Sequence, residues 1–298
     1  LVEVSICIAT RLRPAGLESL LASLAGQRSA PDFEVVVVDN DPAGSARMVA
    51  DRFAGRLAVT YAIEPVPGVS SARNCGVAMA RAPLLAFIDD DERAEPDWLA
   101  ALHAKMTDPA VCGAIGVVKF EFAADVPRYR RECGLYDGLD LADGEALQWW
   151  ATWIGNSILR RTCLPDPPFD PALNLVGGED SHLFARMIAQ GRCIVAARQA
   201  ITREFRSADR MRLADLLGRA LRGGATDVEI DWQKRRARAR ARYGVQSALL
   251  CLLNLPLALL CWVPARAFAL RRLMAALSYA GRLGRLLGWR HREYAKAR

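Results

Sequence analysis

Four consecutive carboxylates close a short apolar run in this chain: Phe87-Ile88 leads straight into Asp89-Asp90-Asp91-Glu92. Acids crowded at one point repel each other unless a cation joins them. Hard oxygen ligands suit Mg²⁺ or Mn²⁺, ions that normally share their coordination with a substrate's phosphates. The plainer alternative is a polar turn ahead of a helix starting near Pro96. A second acidic pair, Glu179-Asp180, follows Gly177-Gly178 and opens a helical pattern. The glycines let backbone approach a ligand closely, while the helix dipole alone favours acids at such a place.

The elements that must position these acids alternate in type. Val4 to Ala9, Phe33 to Val38, Leu57 to Ile63 and Leu84 to Ile88 read as strands rich in β-branched residues. Leu17, Leu20, Leu21 and Leu24 recur at helical spacing, and a second helix is predicted over Ser71 to Ala82. Strands alternating with helices predict an α/β fold with a mostly parallel, doubly covered sheet, whose ligands bind at the carboxyl edge of the strands. The first acidic cluster sits at that edge. Beyond Cys112 the pattern loosens. A strand is predicted over Ala114 to Phe122, a helix from Glu179 to about Gln190, and helix throughout from Arg210 onward. No GxGxxG follows the first strand and no GxxxxGK[ST] occurs, which argues against a dinucleotide enzyme or a P-loop NTPase.

The 298 residues carry a net charge of +7, unevenly distributed. Residues 234–298 hold 15 Lys/Arg against the single acid Glu293, leaving the preceding part at −7. A basic tail suits nucleic acid or an anionic membrane surface. The uncharged, leucine-rich run from Tyr243 to Ala265 favours the membrane and argues against nucleic acid. The eight cysteines show no CxxC pair and no metal-ligand spacing, and no leader-like segment opens the chain. Reduced thiols in the cytoplasm are therefore expected.

Six strings, in order, resemble the inverting family 2 glycosyltransferases of GT-A fold, and among them the bacterial exopolysaccharide ExoM-like enzymes. They are Ile8-Ala9-Thr10 with Arg13-Pro14, Val38 to Pro42, Gly68 to Asn74, Phe87 to Glu92, Gly155 to Arg161, and Gly177 to Asp180. The resemblance spans residues 4 to 224. It implies a catalytic domain over 1–224, while the basic, leucine-rich remainder over 225–298 is expected to be a helical membrane-association region. It further implies transfer of a sugar from a nucleotide donor, a UDP-sugar first of all, to a lipid-linked oligosaccharide. Thr10, Arg13, Asp39, Arg73, Asn74, Asp89, Asp91, Arg219 and Arg222 would bind the donor, with Asp39 receiving the uracil N–H. Asp89 and Asp91, the outer acids of a DxD-type motif, would hold Mn²⁺ or Mg²⁺, and Asp90 would point away if the segment stays extended. Asp180 would be the catalytic base, with Glu179 beside it, and Asn156 and Trp153 would meet the acceptor. His182 is expected on the helix surface. Glu204 stands where relatives often carry a metal-binding histidine, which leaves the third protein ligand open.

Basic residues flank the uncharged run on both sides, so a single crossing is disfavoured. A re-entrant hairpin broken at Pro256 or helices lying in the interface fit better, with Ala267 to Trp289 as a second interfacial helix. The implied place is the cytoplasmic face of the inner membrane, the implied acceptor a polyprenyl-diphosphate-linked glycan, and a homo-oligomer is left open. Two other functions compete: a sugar nucleotidyltransferase, which would want glycine in the loop after the first strand, and an inactive membrane-bound scaffold.

Overall fold

The computed structural model describes residues 1–138, 141–232 and 237–289. In chain order the first elements are β1 (Val4–Thr10), α1 (Pro14–Leu24), β2 (Phe33–Asp39), α2 (Arg47–Phe53), β3 (Val59–Ile63), α3 (Val69–Met79) and β4 (Leu84–Ile88). There follow β5 (Glu92–Ala94), α4 (Trp98–Lys105), β6 (Val111–Phe122), α5 (Arg128–Arg131), β7 (Asn156–Arg160), α6 (Glu179–Ala189) and β8 (Cys193–Arg206). Three long helices end the described chain: α7 (Leu213–Trp232), α8 (Ala237–Leu260) and α9 (Arg266–Leu286).

The strands form one sheet in the order β3-β2-β1-β4-β7-β6-β8-β5. β1 pairs in parallel with β2 and β4, and β2 with β3, whereas β7 runs antiparallel to β4 and β6, and β5 antiparallel to β8. The sheet is therefore mixed, where mostly parallel pairing was expected. The parallel strands are the ones visible in sequence, because their runs are largely apolar and β1, β2 and β4 are covered on both faces. Val35 and Val37 join a core with α1 and α4 on one face, while Val36 and Val38 join the core under α3 and α6 on the other. Strand alternation sends successive residues to opposite layers.

The chain divides into two compact units. One comprises Leu1–Lys119 and Gly138–Glu204; the other comprises Phe120–Asp137 and the chain from Phe205. The boundary expected between residues 224 and 225 falls inside α7. In the second unit α9 packs against both α7 and α8. α8 runs unbroken through Pro256, so the hairpin bends at residues 261–265 rather than at that proline. The cost is one backbone donor.

Candidate active site

The carboxyl ends of β1 and β4 and the start of α3 open onto a cleft of about 450 Å³ within the first unit. That volume lies in the range of small-ligand sites. Thr10 lines it from the end of β1, Arg11 and Arg13 from the loop that follows, Asn40 from just past β2, Arg73 from α3, and Asp89, Asp90 and Asp91 from just past β4. Asn40 and Arg11 were not singled out in the sequence. Asn40 places its amide Nδ2 on the carbonyls of Glu64 and Val66, both at 2.8 Å, and accepts from the Gly68 N–H at 2.8 Å. Gly68 itself has φ 132°, and a Cβ there would stand 2.5 Å from the Asn174 side chain, so only glycine lets the chain enter α3 at this point.

The acidic run does not stay extended. It turns after Asp89, whose carbonyl accepts from the Glu92 N–H at 3.0 Å. The turn brings Asp90 inward instead of away: its carboxylate accepts from Thr10 Oγ1 at 2.8 Å and Arg13 Nη1 at 2.9 Å. Thr10 and Arg13, expected on the donor, are thus held by a buried acid, although both still line the cleft. Asp91 Oδ2 lies 3.3 Å from Arg13 Nη1. Asp89 Oδ1 accepts from Arg73 Nη2 at 3.1 Å, and its other oxygen sits over Gly155, where a Cβ would come within 2.6 Å.

Arg73 also pairs with Glu179, and Glu179 and the Arg73 side chain are both largely buried. Asn74, beside it, takes no place in the cleft lining. Its amide donates to the Phe169 carbonyl at 2.7 Å and accepts from the Phe169 N–H at 3.0 Å, pinning the loop that leads to α6. Asn174 reinforces the link, accepting from the Ser71 N–H at 2.8 Å. Gly177 and Gly178 then pass through left-handed conformations, φ 85° and 84°, and α6 begins with Glu179 and Asp180. Asp180 is half-buried, accepts from the Ser181 N–H at 2.7 Å, and lies close enough for its charge to be felt at both Asp89 and Glu179. His182 is half-buried rather than on the surface.

Burial outweighs the arginines at these acids. Burial pushes Asp89 upward, with Arg73 opposing and Asp91 and Asp180 adding to the rise. Burial raises Asp90 too, against the pull of Arg13, and raises Glu92 well above the carboxylate range with help from Asp89. Glu179 is pushed up to about 7 by burial despite Arg73. Hard carboxylate oxygens gathered at one end of the cleft suit a divalent cation. Among the described residues no three His, Cys, Asp or Glu side chains converge as a complete protein cage. Glu204, buried opposite Glu92 in the β5–β8 ladder, adds no further ligand there.

Other expected site residues lie elsewhere. Asp39 is fully buried, and its carboxylate accepts from the N–H groups of Asp41 at 3.0 Å and Ala46 at 2.8 Å and from the Tyr61 hydroxyl at 2.9 Å. Asn156 is a correction. It is fully buried and cannot meet an acceptor, because its amide donates to Val117, Ala200 and Thr202 and accepts from the Trp98 indole at 2.8 Å. Trp153 and Trp149 are partly buried against the core under α3 and α6, while Trp150 is 66% exposed. Arg219 and Arg222 lie on α7, in the other compact unit.

The family model for glycosyl transferase family 2 matches residues 5–166, which carry the whole cleft lining. The chain belongs to that family. It is a glycosyltransferase with a GT-A-like fold. The succinoglycan biosynthesis protein ExoM of Rhizobium meliloti is 29% identical over all of this chain and 96% of its own length. A validoxylamine A glucosyltransferase of Streptomyces hygroscopicus subsp. limoneus is 40% identical over 36% of this chain and 24% of its own. Among solved structures, S. aureus TarS 1-349 in complex with UDP-GlcNAc superposes with a TM-score of 0.58 at 13% identity, covering 99% of this chain and 98% of the other. That likeness concerns the fold. Membership of the family removes the nucleotidyltransferase alternative.

Proposed function

We propose that this glycosyltransferase is metal-dependent and inverting, and that it moves a hexose from a UDP-sugar to a polyprenyl-diphosphate-linked glycan. Its place would be exopolysaccharide or cell-surface glycan synthesis at the cytoplasmic face of the inner membrane. The observation that carries the donor half is the gathering of the Asp89 and Asp91 carboxylates in the lining of the 450 Å³ cleft. A diphosphate would be repelled from such a place without a cation between. Asp89 and Asp91 would hold Mn²⁺ or Mg²⁺, which when bound neutralises charge on the departing diphosphate. UDP as the nucleotide is supported by the solved TarS complexes with UDP and UDP-GlcNAc. The glycan setting is supported by the full-length similarity to ExoM.

The chain's own residues supply the rest. Arg11, Arg13 and Arg73 line the cleft, the last two paired with its acids, and are the cations available to the phosphates. The buried Arg73–Glu179 pair fixes the first turn of α6, and Asp180 is presented from it. Asp180 takes the proton of the acceptor hydroxyl as that oxygen bonds to the anomeric carbon. The bond from that carbon to the diphosphate oxygen breaks, and its electron pair leaves with UDP. Glu179, held by Arg73, positions the loop and does not itself act on the proton.

Binding of UDP, GDP and dTDP to purified protein, with and without Mn²⁺, tests the donor site. UDP binding that needs both Mn²⁺ and Asp91, and is lost in Asp91→Ala, is expected; metal-independent or absent binding would overturn it. Asp180→Asn is expected to lower turnover by about 10²–10⁴-fold with UDP binding kept. An inactive scaffold would bind UDP in both forms and turn over in neither.

A further inference from the structure

α8 is built inside out for a helix in water. Its inward face, toward α9, carries Ser247, Asn254 and Ala258, each at most 4% exposed. Its outward face carries Val245, Leu249, Leu252, Leu253, Leu259 and Leu260, all between 60% and 77% exposed. With Pro256, also exposed, these positions recur every three or four residues as one continuous stripe of roughly 22 Å. An apolar strip of that length is seldom left to water on a soluble surface.

We infer that this face docks on an anionic lipid bilayer, with α8 lying in the plane of the interface rather than crossing it. Charge supports the choice of occupant. No charged residue occurs from Tyr243 to Ala265, yet Arg242 and Arg266 stand exposed at the two ends, and Lys234, Arg235, Arg236, Arg238 and Arg240 precede the stripe in sequence. Anionic headgroups complement such collars. A second copy laid antiparallel would bury the leucines but set one collar against another.

The posture follows from α9. Residues Arg242–Leu260 are long and apolar enough to cross a membrane. They are not free to do so alone. α8 is packed along α9, with Arg272 Nη1 3.4 Å from Asn254 Oδ1, and α9 is locked to α7 at a close crossing. A Cβ on Gly281 would stand 1.9 Å from the Leu221 carbonyl, and Arg282 pairs with Asp227 at 2.7 Å. A crossing α8 would drag Arg271, Arg272, Arg282 and Arg285 into hydrocarbon, where charge is costly. α9 is thus the middle helix of the layer, where a second interfacial helix was expected. This deepens the membrane seat proposed above, naming the helix, the face and the posture.

The full-length protein is tested by co-flotation with vesicles of phosphatidylcholine alone and with phosphatidylglycerol added. Binding to the anionic vesicles is expected, and Leu249→Glu with Leu253→Glu should weaken it by more than about tenfold. UDP binding reports that the variant is folded; Leu249→Ser with Leu253→Ser replaces it if it is not. For posture, Val245→Trp, Leu252→Trp and Leu259→Trp are read as the bromolipid quenching added over the parent chain. Equal shallow depth at all three sites is expected. Unchanged vesicle binding in the variants overturns the surface, as does a lipid-indifferent dimer that they convert to monomer. A depth profile deepest at Leu252→Trp overturns the posture. In the unsubstituted protein, absent vesicle binding with UDP binding intact counts against this surface alone; absent UDP binding with vesicle binding intact counts against the transferase reading alone.

Discussion

β2 and β4 flank β1 in the same sheet, and each delivers an aspartate to the same carboxyl edge. Asp39, at the end of β2, finds two backbone N–H groups and a phenol waiting for it and disappears from the surface. Asp89, just past β4, finds one arginine and the charges of Asp91 and Asp180, and its side chain stays 46% exposed. The residue type and the topological position are the same. What separates a turn cap from a candidate ligand site is whether the surrounding chain satisfies the carboxylate. One that stays open to the cleft, as Asp89 does, keeps oxygen available to a ligand.

Removing each acid should therefore act with opposite sign. Asp39→Ala strips partners from the buried Ala46 N–H, the part-buried Asp41 N–H and the Tyr61 hydroxyl. It is expected to cost about 3 kcal/mol or more, read from denaturant unfolding. A cost near zero would break the comparison.

The next effect depends on pH. Glu179, tied through Arg73 to Asp89, has its carboxyl raised from the usual 4.5 to about 7. An acid raised on folding is better tolerated protonated. Its stability contribution is fully present below pH 4.5 and is lost as pH climbs through about 7. Up to about 3 kcal/mol is expected from this group over that interval. Glu179→Gln should flatten the slope there; an unchanged slope would assign the pH dependence to other acids.

Asp89→Asn relieves repulsion at the crowded end while losing attraction to Arg73. Burial and like charge outweigh the arginine at this carboxylate, so stability should rise. Because nearly half of the side chain is exposed, solvent screens the gain to at most about 1 kcal/mol, or roughly 2–4 °C in Tm. Mn²⁺-dependent UDP binding should fall in the same variant. A stability loss would mean that the Arg73 pair dominates and that the end of β4 is satisfied after all.

The half of the sheet containing β1 to β4 was legible because unbroken β-branched runs admit only covered strands. β4 was read at its observed limits. β7 and β8 were not foreseen as strands, since Asn156-Ser157 and the polar run Arg198 to Arg206 carry no period of their own, and β5 is only three residues long. At the site, residue types were readable and orientations were not. The inward turn of Asp90 depends on the Thr10 and Arg13 partners, 80 and 77 residues away, and the saturation of Asn156 depends on Trp98, 58 residues away. The inversion of α8 has the same origin: hydropathy marks the run Tyr243 to Ala265 as apolar, but only its packing on α9 says that Ser247 and Asn254 face in.

The smallest test bears most directly on what Asp39 does. The Tyr61 hydroxyl donates to Asp39 Oδ2 at 2.9 Å, and burial together with this bond pushes the phenol's pKa upward. Arg47 lies over the ring, 4.5 Å from its centre, and holds it in place. Tyr61→Phe keeps that stacking and removes one of three donors, so a cost of about 1 kcal/mol is expected. If Asp39 only caps its turn, the remaining N–H donors hold it and UDP affinity is unchanged. If it instead serves the base of a nucleotide, loosening one oxygen frees it toward the cleft, and the preference for UDP over dTDP and GDP shifts in Tyr61→Phe. A shift in nucleotide preference without a matching loss of stability would make the end of β2 a second binding element, and the contrast between the two strand ends would then be one of degree.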